Sequence, residues 1–386
     1  MLVEPIETQV APVQEGNIHD YDTILDYFNN QPVQQDLKSS YHTITFVTTG
    51  IIAYDGGQTT MLHLGTLLTQ AGYEVYYQSY VPQSKTEMEN NAEFNYPGYQ
   101  GICVEMKDLK RHQSDIWIAT LWESAYIIKN LPGYKLYFVQ DYEPYFYPFG
   151  DRYQLAKRTY ELGLHMVSLG PWCKQMIEQN CQVQSPIAAI NFPVALEKYP
   201  LSKRDFAAYP QKKVFQLAVY TKFTSPRRAP INIEIVLRNC EKILQEKGYQ
   251  LEINYFGTKK EETFINGHNL GKLTQPQLVN LYHQSDIGIA PSMTNFSLVP
   301  FEMMSTGLPF IDFYEGTGRY FIPQNCCFYT HFDETELAQL LLKLFQNPDQ
   351  LQKTTANASA HLHSITWKKT LSDILQILQH LPTTKH

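Results

Sequence analysis

The sequence of 386 residues lacks the features of several specialised protein classes. It has only six cysteines, with no C-x-x-C pair and no His/Cys cluster, which indicates free thiols in a reducing compartment. No stretch holds the roughly 18 consecutive apolar residues of a membrane span. The first residues, MLVEPIETQV, are acidic and lack the basic and apolar regions of a signal peptide. We therefore expect a cytoplasmic protein.

Positive charge is also scarce. Lysine and arginine number 31 against 38 aspartates and glutamates, so the net charge is −7, and no long basic run is present. A nucleic-acid-binding protein gains affinity by neutralising phosphates, so no nucleic-acid partner is expected. The dinucleotide fingerprint G-x-G-x-x-G is missing as well, and we expect no cofactor.

Aromatic residues, by contrast, are abundant. They make up 13% of the chain and include 27 tyrosines. Sugar-binding clefts use the ring face and the hydroxyl of tyrosine together, although many of these tyrosines must simply fill strand positions. The length of the chain predicts two or three domains.

The strongest functional pattern lies at residues 285–311, which predict a buried strand, a loop and a helix over about 300–306. A helix start carries a partial positive charge and free N–H donors, so the backbone of Ser297 and Leu298 is predicted to bind the phosphate end of a nucleotide. Glu302, predicted in the first turn, could accept hydrogen bonds from ribose hydroxyls. Alternatively, the segment is a plain connection in which Glu302 only complements the helix dipole.

This pattern, DIGIAPS followed by E-M-x-x-x-G-x-P, resembles the donor-binding segment of GT-B glycosyltransferases, in particular those of the retaining family four. Many members carry two glutamates, the first eight positions before the second. Glu302 matches the second glutamate, and Thr294 stands at the position of the first. The Pro-Phe-Glu-Met form is similar to the WsaF-like rhamnosyltransferases, which make rhamnan chains from dTDP-rhamnose. The resemblance implies an α/β fold of two Rossmann-like, doubly wound domains that face each other across a cleft.

Near the N-terminus, a predicted strand at 43–51 is followed by two glycines and an amphipathic helix over about 58–71. Gly56 and Gly57 would let the backbone come close to a ligand at the carboxyl end of this strand, where open α/β sheets bind. Alternatively, they only form a turn. The resemblance implies that this loop faces the cleft and contacts donor phosphate or acceptor.

The loop DYEPYFYPFG follows another predicted strand. The resemblance extends here through a V-Q-D-x-E-x-x-F run, and it implies that Asp141 lies near the donor sugar. There Asp141 would activate the acceptor hydroxyl or stabilise positive charge at the anomeric carbon. Tyr142, Glu143 and Tyr145 are predicted to bind the acceptor. Alternatively, Asp141 caps the next helix, and the aromatic run contacts a membrane surface.

A basic loop precedes the long helix predicted at 231–248. Cations at a helix start oppose its dipole and repel one another, and a bound diphosphate would resolve this conflict. The family pattern Y-x-R-P-x-x-P-R-N places Lys222 and Arg227 at its two arginines, although the loop could also be merely solvated. By the same resemblance, Gly271 and Lys272 would flank the nucleobase.

The sequence has no D-x-D motif in a predicted cleft position, so we expect no metal, and cations would neutralise the leaving diphosphate instead. The predicted reaction transfers L-rhamnose from dTDP-L-rhamnose, or another sugar from a UDP-sugar, to a glycan or lipid-linked glycan. Two other interpretations are open. One is a catalytically silent GT-B subunit that binds glycan or a partner transferase, and the other is a sugar-nucleotide epimerase, which the aromatic loop disfavours.

The predicted organisation has five parts. These are an N-terminal extension (1–40), an acceptor domain (41–198), a linker (199–213), a nucleotide-sugar domain (214–364) and a terminal helix (365–386) that packs toward the first domain. The amphipathic pattern of the last part predicts this helix. A peripheral contact with the inner face of the membrane is a further expectation.

Overall fold

The structure, a computed structural model, describes residues 18–384; the first part of the predicted N-terminal extension therefore lies outside the described residues. The first half of the chain forms a sheet of seven parallel strands in the order β3-β2-β1-β4-β5-β6-β7. The strands are β1 (Thr43–Thr48), β2 (Glu74–Ser79), β3 (Ile102–Val104), β4 (Ile116–Ala119), β5 (Tyr134–Val139), β6 (His165–Leu169) and β7 (Ile187–Ile190). The helices are α1 (Gly56–Gln70), α2 (Lys85–Asn95), α3 (Trp122–Ile128), α4 (Asp151–Thr159) and α5 (Pro171–Asn180).

The second half forms a six-stranded parallel sheet in the order β10-β9-β8-β11-β12-β13. Its strands are β8 (Val214–Tyr220), β9 (Gln250–Phe256), β10 (His268–Asn269), β11 (Ile287–Ile289), β12 (Phe310–Phe313) and β13 (Phe328–Thr330). The helices are α6 (Pro230–Glu246), α7 (Gln275–Gln284), α8 (Leu298–Ser305), α9 (Glu334–Phe345), α10 (Pro348–Leu362) and α11 (Trp367–Gln379). In each sheet the strand order reverses beside the first strand, and such switch points are where open α/β sheets bind ligands.

Strand burial explains why these segments form central strands. All six residues of β5 and all four of β12 are buried, as expected when helices cover both faces of a parallel sheet. The last helix, α11, packs against α1 and β7 of the first sheet. Its buried Ile374 and Leu378 join the core that contains Phe46 and Leu64. The chain thus ends on the N-terminal domain.

Three local predictions were wrong. The polar composition of residues 81–114 predicts an irregular segment with one short strand near 101–106, but α2 also lies there; it buries only Met88 and Ala92, which is too little apolar periodicity to detect. The two glycines at the start of α1 lie in its first turn rather than in a loop, because the Asp55 carboxylate caps the helix by accepting from the Gln58 N–H at 2.8 Å. Helix α8 begins at Leu298, so Glu302 lies in its second turn.

None of the helices between residues 18 and 384 is both long and apolar enough to cross a lipid bilayer.

Candidate functional site

Four cations gather where the carboxyl end of β8 faces the first domain. Lys222 lies two residues beyond this strand, and Arg227 and Arg228 belong to the short 3-10 turn before α6. Lys222 is half-buried, and its pKa is lowered by desolvation and by the charges of Lys272, Arg227 and Arg228, with Asp55 opposing the shift. We call Lys222, Arg227, Arg228 and Lys272 the cationic cluster. The structure therefore brings together three of the predicted donor-binding cations.

Asp141 lies opposite this cluster, directly after β5, and only 7% of its surface is exposed. One carboxylate oxygen accepts from Arg227 Nη1 at 2.7 Å and from the Thr294 hydroxyl at 2.9 Å. The other accepts from the backbone N–H groups of Asn295 and Tyr142, both at 2.8 Å. Three of these four donors come from the C-terminal domain, so Asp141 couples the two domains across the cleft.

The loop between β11 and α8 forms further hydrogen bonds between the two domains and to the basic turn. The Asn295 side-chain amide donates to the carbonyl oxygens of Gln140 at 2.7 Å and Leu169 at 2.8 Å, at the carboxyl ends of two N-terminal strands. The Met293 N–H donates to the Arg227 carbonyl at 2.8 Å, which ties this loop to the basic turn. Residues 293–295 and Arg227 are therefore bonded both to one another and to the first domain.

Helix α8 starts at the end of this loop. Ser297 precedes it but does not cap it, and its hydroxyl oxygen is buried without a hydrogen-bond partner among the described residues. The first N–H groups of the helix, beginning at Leu298, therefore have no side-chain cap, and both residues are half-buried. An anion in the cleft would meet the positive end of the helix here.

Glu302 faces away from the cationic cluster, toward the linker. Its carboxylate is hydrogen-bonded to the hydroxyl of Tyr199, and burial raises its pKa to about 7, against the lowering effects of Tyr199 and Lys198. Within residues 18–384, no contact joins Glu302 to Arg227. Arg227 lies in the turn before α6 and Glu302 in the second turn of α8, so a ligand would have to bridge two elements to touch both.

The predicted acceptor residues differ in their access to solvent. Tyr145 is 47% exposed, whereas Tyr142 and Glu143 are 0% and 1% exposed. The Glu143 carboxylate accepts from the Trp122 N–H and the Tyr137 hydroxyl, both at 2.7 Å, and burial raises its pKa to about 8. The prediction that Tyr142 and Glu143 contact the acceptor directly is therefore corrected, because neither side chain reaches the cleft surface in this conformation.

The predicted glycines lie at positions with different constraints. A Cβ on Gly57 would lie 3.2 Å from the Gln140 side chain, so little room remains between α1 and the end of β5. A Cβ on Gly56 would meet nothing within 4 Å, which leaves its backbone open to a ligand. Gly271 has a φ of +78°, a left-handed conformation that favours glycine, and it directly precedes Lys272.

Two aromatic contacts across the cleft were not predicted. The Lys272 ammonium lies 5.4 Å from the ring centre of Tyr54, and the Arg227 guanidinium lies 4.4 Å from that of Phe146. Tyr54 is 54% exposed, has a φ of 64° and stacks edge-to-face with Phe94 at 4.7 Å. The signal available in the sequence was an aromatic residue just before the Asp-Gly-Gly run, but its partners come from other elements.

Beneath the cluster, Asp312 in β12 is fully buried; its carboxylate has weak contacts with the backbone N–H groups of Phe313 and Gly318 but no well-formed hydrogen bond among the described residues. Desolvation raises its pKa to about 7, with the positive charge of Arg228 opposing. A Cβ on Gly318 would lie 1.7 Å from the Asp312 carboxylate, so only glycine fits there.

The burial of Asp312 predicts a pH-dependent stability. Because its pKa is about 7 in the folded protein and 3.8 normally, the stability that the protonated form contributes should be lost as the pH rises from about 4 through 7. The wild-type free energy of unfolding should fall over this range. In Asp312→Asn the fall should be smaller by about 3 kcal/mol. Chemical denaturation at pH 5 and pH 8 measures this. The exposed control Asp349→Asn should retain the wild-type difference, and an unchanged slope in Asp312→Asn would contradict the burial argument.

No family model matches the sequence. The O-antigen biosynthesis protein RfbC of Myxococcus xanthus is 27% identical over 221 residues, which is 55% of this chain and 16% of that protein. The chain therefore spans about a sixth of the length of this curated relative.

Solved structures match over most of the chain. A glycosyltransferase from Rickettsia africae superposes with a TM-score of 0.66 and 15% identity, covering 88% of this chain and 98% of that one. The HepE protein of Anabaena in complex with UDP-glucose gives a TM-score of 0.68 and 13% identity, covering 88% of this chain and 100% of that one. The chain has the GT-B fold. The predicted architecture of two Rossmann-like domains is thereby confirmed, and the cationic cluster and Asp141 lie where the two domains meet.

Potential metal ligands do not cluster in the GT-B cleft. Across residues 18–384 no group of three or more His, Cys, Asp or Glu side chains is arranged to hold an ion.

Proposed function

We propose that this chain is a glycosyltransferase that moves a sugar from a nucleotide diphosphate donor to a glycan or lipid-linked glycan acceptor in polysaccharide assembly. The observation that carries the proposal is the cationic cluster at the carboxyl end of β8, opposite the Asp141 carboxylate. Four cations repel one another there, and a diphosphate is the ligand class that matches their number and spacing. We favour dTDP-L-rhamnose as the donor, with a UDP-sugar as the alternative.

Each group has a proposed role. Lys222 and Arg227 neutralise the diphosphate as it leaves, without help from a metal, and the N–H groups of Ser297 and Leu298 bind one phosphate. Glu302 accepts hydrogen bonds from the ribose or the sugar. Asp141 acts beside the anomeric carbon with retention of configuration.

The remaining residues shape the cleft. Gly56 and Gly57 give the donor or acceptor close access to the backbone, and Gly271 and Lys272 flank the nucleobase. Tyr145 contacts the acceptor, with Tyr142 and Glu143 behind it as supports. We place the reaction in the cytoplasm, because all six cysteines are free, with a peripheral contact at the inner membrane face.

The names of similar proteins support the reaction class. HepE was solved in complex with UDP-glucose, and RfbC is described as an O-antigen biosynthesis protein. A nucleotide sugar as donor and a surface polysaccharide as product are therefore the natural expectations for this GT-B chain.

A panel of nucleotide sugars tests the proposal. Thermal unfolding is measured with dTDP, dTDP-L-rhamnose, UDP and UDP-glucose, and at least one compound should raise the unfolding temperature by mass action. Release of dTDP or UDP only when a glycan acceptor is added would identify a transferase and exclude an epimerase. If none of the compounds stabilises the protein, the proposal is wrong.

One observation favours a second candidate, a catalytically silent subunit. All four hydrogen bonds to the Asp141 carboxylate are internal, so in this conformation Asp141 serves as a link between domains. A silent subunit would keep this link when nucleotide is present. An active enzyme must transfer Arg227 from Asp141 to the diphosphate.

The hydrogen bond from the Thr294 hydroxyl to Asp141 predicts that glutamate would be unfavourable at this position. A glutamate there would place a second carboxylate against Asp141, whose surroundings are buried, and the like charges would repel. We expect Thr294→Glu to lower the free energy of unfolding by about 2 kcal/mol or more, as measured by chemical denaturation. Thr294→Ser keeps the hydroxyl and should remain close to the wild type. Equal stability of the two variants would show that the Thr294 contact is not formed.

A further inference from the structure

Two interior strands of the C-terminal sheet carry polar side chains on one face. Gln216 of β8 and Asn254 of β9 are half-buried on this face, whereas their neighbours Leu217 and Ile253 are buried on the other. Interior strands of parallel sheets are usually apolar on both faces, because helices cover both. Here the polar face borders a cavity of about 750 Å³.

Helix α7 forms the wall of this cavity. The side chains that line it, Gln277, Asn280, Leu281 and Gln284, follow the spacing of one helix face. On a helix that packs fully against its sheet, this face would be apolar and covered. Instead, its three carboxamide residues are exposed and look across the cavity toward the polar strands.

The carboxamides form short chains. The Asn254 amide donates to Gln216 at 3.0 Å, Gln216 in turn donates to Glu252, and Gln284 donates to Asn280 at 3.2 Å. Leucines, including Leu270 and Leu273, supply apolar surface between them. Among the residues that the structure describes, no charged side chain lines the cavity itself, and Glu252 lies behind Gln216.

This combination points to a class of ligand. A carboxamide offers both donors and an acceptor, as does each hydroxyl of a sugar, whereas a phosphate or sulfate would require cations. The volume lies within the range of small-molecule binding sites. We propose that this cavity, the α7 groove, binds a short stretch of a neutral glycan.

The α7 groove is separate from the donor cleft but adjoins it. Leu273, which lines the groove, is the neighbour of Lys272, and Gln216, which also lines it, lies six residues before Lys222, or roughly 20 Å along the chain. A glycan held in the groove would therefore remain close to the cleft, and its local concentration there would rise. The advantage of a raised glycan concentration near the cleft rests on the proposed function, whereas the binding of glycan in the groove does not.

The test measures binding of neutral oligosaccharides directly, by calorimetry or ligand-observed NMR. The neutral probes are maltoheptaose and a linear rhamnose oligosaccharide, and a sulfated oligosaccharide serves as the charged comparison. All three are measured in the presence of saturating dTDP. We expect at least one neutral probe to bind the wild type. The double variant Asn254→Leu/Gln284→Leu, which converts the carboxamides to apolar groups, should weaken this binding at least tenfold. Replacement of two surface amides elsewhere, Gln182→Leu/Gln352→Leu, should leave it unchanged.

A cleft variant separates this proposal from the proposed function. Lys222→Ala should lose affinity for dTDP and still bind the neutral probe, so failure of the donor assignment would not affect the groove measurement. The groove proposal would be overturned if no neutral probe binds, if the sulfated probe binds more tightly, or if dTDP displaces the neutral probe. The groove proposal would also be overturned if the Asn254→Leu/Gln284→Leu variant folds properly and binds the neutral probe as tightly as the wild type.

Discussion

Alanine at both Lys222 and Arg227 should weaken dTDP or UDP binding by roughly 100-fold or more. Each side chain would lose a charge-assisted hydrogen bond to the diphosphate, and together these losses amount to about 3 kcal/mol or more. The helix start at α8 would remain, so residual binding is expected. Calorimetry with the nucleoside diphosphate alone measures the effect without requiring the acceptor.

The double variant needs a fold control, because removal of Arg227 leaves the Asp141 carboxylate without its ion pair. The single variant Lys222→Ala avoids this problem and should still lose at least tenfold in affinity. Lys242→Ala/Lys259→Ala removes two exposed lysines from the same domain and should bind like the wild type. If Lys222→Ala binds as well as this control does, Lys222 is not in the donor site.

Asp141→Asn should lower the rate of sugar transfer by roughly 100-fold or more while nucleotide binding is retained or strengthened. Asparagine keeps one acceptor oxygen but cannot carry negative charge or take a proton, so it can neither stabilise the anomeric carbon nor activate a hydroxyl. The amide would also no longer hold Arg227 as an ion pair, which frees that arginine for the diphosphate. Initial rates with a glycan acceptor, combined with the dTDP dissociation constant, measure both quantities.

The variant Thr294→Val is the matched comparison for Asp141→Asn. It removes one hydrogen bond to Asp141 but leaves the carboxylate in place, so the loss of rate should be much smaller. If both variants lose rate and dTDP affinity together, Asp141 only links the domains. In that case the silent-subunit interpretation gains support.

Much of the fold could be predicted from the sequence because its signals are local. The apolar runs VFQLAVY and KLYFVQ have the length and composition of central strands, and the first coincides with Val214–Tyr220. The last helix followed from its apolar spacing, and Thr274 with Gln277 marked the start of α7 as a capping box.

The contacts that define the site could not be predicted in this way. Asn295 binds the carbonyl oxygens of Gln140 and Leu169, which are more than a hundred residues away, and no local pattern encodes such a pairing. Glu143 was predicted to lie at the cleft surface because it follows a strand end. Its burial depends on Tyr137 and on the start of α3, which become its neighbours only in the folded domain.

The arrangement at Asp141 gives a physical picture of the resting cleft. Arg227 is neutralised by Asp141 and covered by the Phe146 ring, so one phosphate-binding cation is already placed and paired before a donor arrives. A diphosphate must compete with this ion pair for Arg227. Donor binding and release of the Asp141 carboxylate are therefore predicted to be coupled.

A crystal structure with bound dTDP tests the central claim most directly. The account predicts a diphosphate that contacts Lys222, Arg227 and the N–H groups at the start of α8, with Glu302 toward the ribose and Arg227 released from Asp141. Nucleotide bound elsewhere, or bound with the Arg227–Asp141 pair intact and Lys222 free of phosphate, would contradict it.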